Sequence, residues 1–234
     1  MTFEDKICLI TGAAGNLGRA VAAAFASAGA SLVLLDRDDK SLRAAYGNQG
    51  ERRLLLDADL EDTAAVADAV KTATARLGRI EVLCNIAGGF RMGHAVHETP
   101  EDIWKLMLDL NAKSVINTAR SVVPGMIAAG RGKIVNIAAI AGLGGKANMG
   151  AYSASKSAVI RLTESMSAEL RDKGINVNCI MPSIIDTPQN RADMPGADPR
   201  RWVAPAALAD VVLFLASDRA RAIHGAAIPV TGLV

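Results

Sequence analysis

Ile7-Cys8-Leu9-Ile10-Thr11-Gly12-Ala13-Ala14-Gly15-Asn16-Leu17-Gly18 is an apolar run, then a glycine-rich turn, then the start of an alanine-rich segment. A short apolar run bounded by turn residues reads as a strand buried on both faces. The glycines let the backbone turn tightly and approach a pyrophosphate. The N-terminus of the helix that follows offers free N–H groups and a partial positive charge. Gly12, Gly15, Asn16, Leu17 and Gly18 are therefore candidate diphosphate-binding residues, because the loop has a strand before it and a helix after it. Asp36 ends the next apolar run, 18 residues past Gly18. A carboxylate there accepts both ribose hydroxyls of an adenosine and repels a 2′-phosphate. No Lys or Arg lies in the glycine loop, although Arg37 is adjacent to Asp36, so NAD is expected over NADP. Asp36 is equally placed to cap the helix after it, and the two roles are compatible.

Outward from this unit the pattern repeats. Aliphatic runs at 7–10, 32–35, 53–56, 82–84, 133–137, 176–180 and 226–230 alternate with helical periods near 17–28, 38–46, 61–77, 100–129, 151–172 and 205–216. That alternation predicts βαβ units with right-handed crossovers, hence an α/β Rossmann fold: a doubly wound, seven-stranded parallel sheet with helices on both faces. No linker, repeat or low-complexity tract divides residues 1–234, so a single domain is expected. Only 183–204, rich in Pro, Asp and Arg, reads as a long loop, and loops of that length tend to be functional.

Composition narrows the function. Half the residues are hydrophobic, aromatics are only 3%, and the small aliphatics suit a parallel sheet tightly covered by Ala-rich helices. The net charge of +2 and the scattered basic residues argue against nucleic-acid or anionic-membrane partners. Residues 20–35 are uncharged, but Ser27-Ala28-Gly29-Ala30-Ser31 breaks them into helix, turn and strand rather than a membrane span. Cys8, Cys84 and Cys179 are isolated in apolar runs, as reduced buried thiols are, and no signal peptide is evident; the cytoplasm is the expected compartment. His94, His97 and His224 do not have metal-site spacing, and no metal is expected.

The chemistry is expected at Tyr152-Ser153-Ala154-Ser155-Lys156. Tyr and Lys four apart on a helix share a face. An ammonium near a phenol favours phenolate, so such a tyrosine would exchange a proton with a substrate oxygen near neutral pH.

Glycine loop, Asp36 and Tyr152-x-x-x-Lys156, in this order and spacing, resemble the short-chain dehydrogenase/reductase family over essentially the whole chain. The resemblance implies an NAD-dependent oxidoreductase with Tyr152 as acid and base and Lys156 holding the nicotinamide ribose. It implies that Asp59-Leu60 contacts the adenine and that Asn85-Ile86-Ala87-Gly88 is the segment after the fourth strand, with Asn85, Ala87 and Gly88 at the cofactor. It implies that Asn111 kinks a helix and holds a relay water. Pro182, Ile185 and Thr187 match the clamp on the nicotinamide amide and diphosphate, and 183–204 becomes a substrate lid. Helices 100–129 and 151–172 often pair with their copies in this family, so a homotetramer, or next a homodimer, is expected.

The departures from the family pattern are as informative. Asn16 replaces the usual middle glycine, a change that left-handed tolerance of Asn would accommodate. Ile86, Ser183 and the C-terminal Thr231-Gly232-Leu233-Val234 also depart. Ala139 stands thirteen residues before Tyr152, where the family keeps a substrate-binding serine, and Ala138 offers no hydroxyl either. Loss of one preorganised donor costs about 10²–10³ in rate. Three readings follow: a substrate that does not need the donor, replacement by Asn148, Ser183 or Thr187, or a protein that binds cofactor with little turnover. The alanine and the segment Asp186 to Asp198, followed by Trp202, resemble the dihydropteridine reductases of the family, so a C=N reductase is the alternative. Phe90, Arg91, Met92, Met149, Met181 and Trp202 fall near the expected substrate mouth. Arg91 and Arg191 are open either to an anionic substrate or to water.

Overall fold

The computed structural model describes residues 1–234. Seven strands, β1 (Ile7–Thr11), β2 (Ser31–Asp36), β3 (Arg53–Asp57), β4 (Val82–Asn85), β5 (Gly132–Ile137), β6 (Ile175–Pro182) and β7 (Ala227–Val230), form one sheet in the order β3-β2-β1-β4-β5-β6-β7. Every pairing is parallel. This is the doubly wound Rossmann arrangement, and the strand order reverses between β1 and β4. Ligands of such sheets bind at that switch point, outside the carboxyl ends of the strands.

Successive side chains of β1 enter opposite cores, Cys8 and Ile10 one, Ile7 and Leu9 the other. Helices α1 (Asn16–Ser27) and α2 (Asp39–Tyr46) supply Phe25 and Leu42 to the first core, and α8 (Pro205–Ala216) supplies Val212. The second is closed by α3 (Thr63–Leu77) and α5 (Ser114–Ala128), through Val66, Val70, Val122 and Met126, and by Leu170 at the end of α6 (Gly150–Leu170). Residues buried on both faces explain why the strands read as unbroken aliphatic runs.

The expected helix 100–129 is two helices. α4 (Glu101–Leu108) and α5 are joined by a π-turn over Asp109–Lys113, with Asn111 at its centre. The segment 183–204 is not structureless. It holds α7 (Pro188–Asp193), started by Pro188 and capped by the Thr187 hydroxyl, and a 3-10 turn over Pro199–Arg201. The cap of α2 is Asp38, whose carboxylate accepts from the N–H groups of Lys40 and Ser41, not Asp36. No helix is long and apolar enough to cross a membrane.

Candidate active site

A cleft of about 690 Å³ opens at the carboxyl ends of the strands, on the switch point, in the size range of small-molecule sites. One end is built by the glycine loop. Gly12 has φ +62°, and a Cβ on it would lie 2.8 Å from the Cα of Ala87. A Cβ on Gly18 would lie 2.1 Å from the Gly12 carbonyl oxygen, so this glycine lets α1 seat on the turn. Gly15, the N-cap of α1, makes no side-chain cap, which leaves the first N–H groups of the helix facing the cleft. Asn16 lies in the first helical turn; Asp5 and Asn148 are the only non-glycine residues with positive φ. Asn16 therefore needs no left-handed tolerance, and the expectation that it would is corrected: glycine's freedom is not used at that position.

Three residues lock this loop. Thr11 Oγ1 accepts from the N–H groups of Ile86 and Ala87, each at 3.1 Å, and ties the β1 turn to the β4 turn. The Tyr46 hydroxyl donates to the Ala13 carbonyl at 2.6 Å, and Asp36 Oδ2 accepts from the Ala14 N–H at 2.9 Å. The Thr11 and Tyr46 roles are not apparent from the sequence: Thr11 stands in the loop stretch only as its first residue, and Tyr46 belongs to no motif there. Thr11, a lone polar residue closing the apolar run 7–10, carries the one faint signal. Asp36 and Arg37 both line the cleft, with Asp59 and Leu60 beside them.

The other end holds Tyr152 and Lys156, both on α6, with Ala87, Gly88, Ala138 and Ala139 nearby. Pro182, Ser183, Ile185 and Thr187 line it from above. A Cβ on Gly88 would lie 3.1 Å from Lys156 Nζ and 2.8 Å from Asn111 Oδ1, so the glycine makes room for the amine. Lys156 is buried and donates to the Ile137 carbonyl at 2.9 Å. Burial pulls its ammonium down to about 8, with the Cys179 thiolate form opposing that weakly. Burial also pushes the Tyr152 phenol up to about 12. The expected lowering of the phenol by its neighbouring ammonium does not appear in this arrangement, where burial is the cause that acts on Tyr152. The Phe90 ring meets Tyr152 edge to face, centroids 4.8 Å apart.

Two expected site residues do not reach the cleft. Asn85 is buried, donating to Asn136 Oδ1 at 2.8 Å and accepting from the Thr118 hydroxyl at 2.7 Å. It supports the wall from behind, because both ends of its amide are engaged within the core. Asn111 is also buried. Its amide donates to the Gly89 carbonyl at 3.1 Å and to Ser155 Oγ at 2.9 Å, and its Oδ1 accepts from the Gly89 N–H at 2.9 Å. The side chain thereby splices the 86–89 turn to α6 one turn from Tyr152. Among the substitutes for a serine, Asn148 is exposed and does not line the cleft, and the Ser183 hydroxyl donates to the Thr231 carbonyl at 2.8 Å. Thr187 lines the cleft and accepts from the Asn190 N–H, which leaves its hydroxyl proton available. Asn190 also donates to the Ile185 carbonyl, and Arg191 pairs bidentately with Asp186 at 2.6 and 2.7 Å, so Arg191 is not a free cation for substrate. Cys8, Cys84 and Cys179 are free thiols, and no group of three or more His, Cys, Asp or Glu side chains gathers to hold a metal.

A family profile described as short chain dehydrogenase matches residues 6–197. The chain belongs to the short-chain dehydrogenase family. It is an oxidoreductase of that family, whose curated members include a 3-oxoacyl-(acyl-carrier-protein) reductase of Thermotoga maritima, 33% identical over 99% of this chain and 98% of the relative. A meso-2,3-butanediol dehydrogenase of Serratia marcescens is 34% identical over 99% of this chain and 95% of its own. Among solved structures, an NAD⁺-bound xylitol dehydrogenase superposes with a TM-score of 0.91, at 29% identity, over 99% of this chain and 100% of that one. A carveol dehydrogenase from Mycobacterium avium in complex with NAD gives 0.88 at 26% identity, over 98% and 97%. These short-chain dehydrogenases differ widely in substrate, so the family sets the reaction class and leaves the substrate to this chain's own residues.

Proposed function

We propose that the protein is an NAD(H)-dependent oxidoreductase acting on a small carbonyl or alcohol, with Tyr152 exchanging the proton. The observation that carries this is the single cleft that has a glycine-loop cradle at one end and Tyr152 with Lys156 at the other. The cradle suits a dinucleotide: the uncapped start of α1 would take the diphosphate, Asp36 the adenosine ribose, Asp59 and Leu60 the adenine. Lys156 would hold the nicotinamide ribose, with Ile185 and Thr187 at the amide. A carboxylate at Asp36 favours NAD over a 2′-phosphorylated cofactor. When bound, NADH supplies the hydride. Tyr152, protonated at neutral pH, donates to the substrate oxygen. Lys156, charged below about 8, stands one turn away as the next positive group. Asn111 positions the 86–89 turn and α6, and its π-turn is the expected site of a relay water. The segment 183–204 closes over the substrate as a lid, held in shape by the Asp186–Arg191 pair.

Tyr152→Phe tests the assignment. Turnover should fall by about 10²–10⁴ while NADH binding, read by fluorescence, is retained. Unchanged turnover would remove this tyrosine from the chemistry.

A second reading, a dihydropteridine-type C=N reductase, is favoured by one feature, the absence of a hydroxyl at Ala138 and Ala139 beside Tyr152. A C=N-containing dihydropterin assayed against a ketone panel separates the two. NAD binding with no turnover on either would leave the third reading, a binding protein. Trp104, Ile116 and Ile127 are exposed apolar residues on α4 and α5, and they support a homotetramer or homodimer joined through these helices.

A further inference from the structure

The large exposed apolar side chains are not scattered evenly over the surface. Phe90, Met92, Val96 and Leu143 are 46%, 55%, 74% and 62% exposed, and all four lie on two short segments that flank the start of α6. The first segment is strapped to that helix. The Gly93 N–H donates to the Asn148 carbonyl at 2.9 Å, His94 bridges to Met149, and Val96 packs so closely on Gly150 that a Cβ there would lie 2.7 Å from Val96 Cγ2. The second segment begins at Ala139 in the cleft wall, turns through Ile140–Gly142, and reaches Leu143 where Gly142 lies against the main chain of Lys156. Phe90 joins mouth to cleft, since its ring lines the cavity and meets Tyr152. Inside, the wall beside Tyr152 is Ala138 and Ala139, which continues the apolar surface inward. Neither 86–97 nor 138–153 contains an acidic residue, and the charges there are Arg91, folded onto the Phe90 carbonyl, and Lys146.

Contiguous exposed apolar surface marks a binding site more often than it marks nothing. Here the exposed apolar side chains sit on the same two segments that carry Phe90 and Ala139 into the cleft beside Tyr152. We infer that the substrate carries an extended apolar body, which lies across the mouth made by Phe90, Met92, Val96 and Leu143 while its reacting carbon sits at Tyr152. This rests on the oxidoreductase reading and specifies its substrate class: a hydrophobic ketone or secondary alcohol rather than a sugar or polyol. An apolar tail gains from each methylene it removes from water, and the gain reaches the transition state equally, so it appears in kcat/KM.

The test is a series of 2-alkanones from 2-butanone to 2-decanone with NADH, run on the native protein and on Met92→Ser/Val96→Ser and Leu143→Ser variants. The native kcat/KM should rise by about two- to fourfold per added methylene until the mouth is covered. Each variant should flatten that rise, with its oligomeric mass unchanged in solution. Turnover that is independent of chain length overturns this inference and leaves the oxidoreductase reading standing. A rise that the substitutions do not flatten, or a change in mass when Met92 or Leu143 is replaced, also overturns it, the latter by assigning the patch to a second copy of the chain. No turnover at any length, with NADH still bound, removes the carbonyl-reductase reading and this inference with it.

Discussion

The two ends of the cleft are held by different means. The glycine-loop end is fixed by groups that have one geometry: Gly12 and Gly18 at contacts a Cβ would violate, Thr11 across two turns, Tyr46 and Asp36 on consecutive loop residues. The end beyond Tyr152 presents alanine methyls, exposed apolar side chains and a segment held by the Asp186–Arg191 pair and by Asn190. The first end has the close-packed turn and uncapped helix start that suit a dinucleotide, and its contacts leave that turn little slack. Ala139 shows the contrast most directly: it lines the cleft just past the end of β5, so a change of side chain there meets the cavity and not a strand.

Three substitutions sharpen this contrast, in decreasing size of effect. Ala139→Ser returns a donor beside Tyr152. If the missing hydroxyl limits turnover, kcat on simple ketones should rise, toward the roughly 10²–10³ that such a donor is worth. A steady-state assay reads this, and no gain would show that the natural substrate does not rely on that donor. At the opposite end, Gly18→Ala forces a methyl into the Gly12 carbonyl. It should cost about 1–3 kcal/mol of stability and weaken NADH binding together, as thermal melts and fluorescence titration would show. Equal melting temperatures would mean the loop is softer than its packing indicates.

Lys156→Met should produce the smallest change in stability, and one of opposite sign. The folded-state ammonium titrates at about 8, below its ordinary 10.5. Between those values the unfolded chain binds the extra proton, so stability rises with pH across the window, and below about 8 the buried charge is a full penalty. The methionine variant should therefore melt higher at pH 7, by about 1 kcal/mol or more, lose the pH 8–10.5 rise, and lose turnover. A lower melting point would mean that the hydrogen bond to Ile137 outweighs the desolvation.

Much of this molecule is legible along the chain because it depends on short-range spacing. The strand, glycine turn and helix at 7–27, the alternation of aliphatic runs with Ala-rich segments, and Tyr152 one turn from Lys156 all follow from local geometry and period. They specify the seven parallel strands and the residue types that gather at their carboxyl ends. What needed the tertiary structure is set by how segments far apart in sequence enclose one another. Burial, not the adjacent ammonium, governs the Tyr152 phenol. Asn85 and Asn111 face into the core because their partners, Asn136, Thr118, Gly89 and Ser155, arrive from other elements. The apolar mouth exists only because 90–96 is laid against 148–150. Spacing along a chain records which residues share a face, whereas desolvation and hydrogen-bond partnership depend on what the rest of the fold stacks around them.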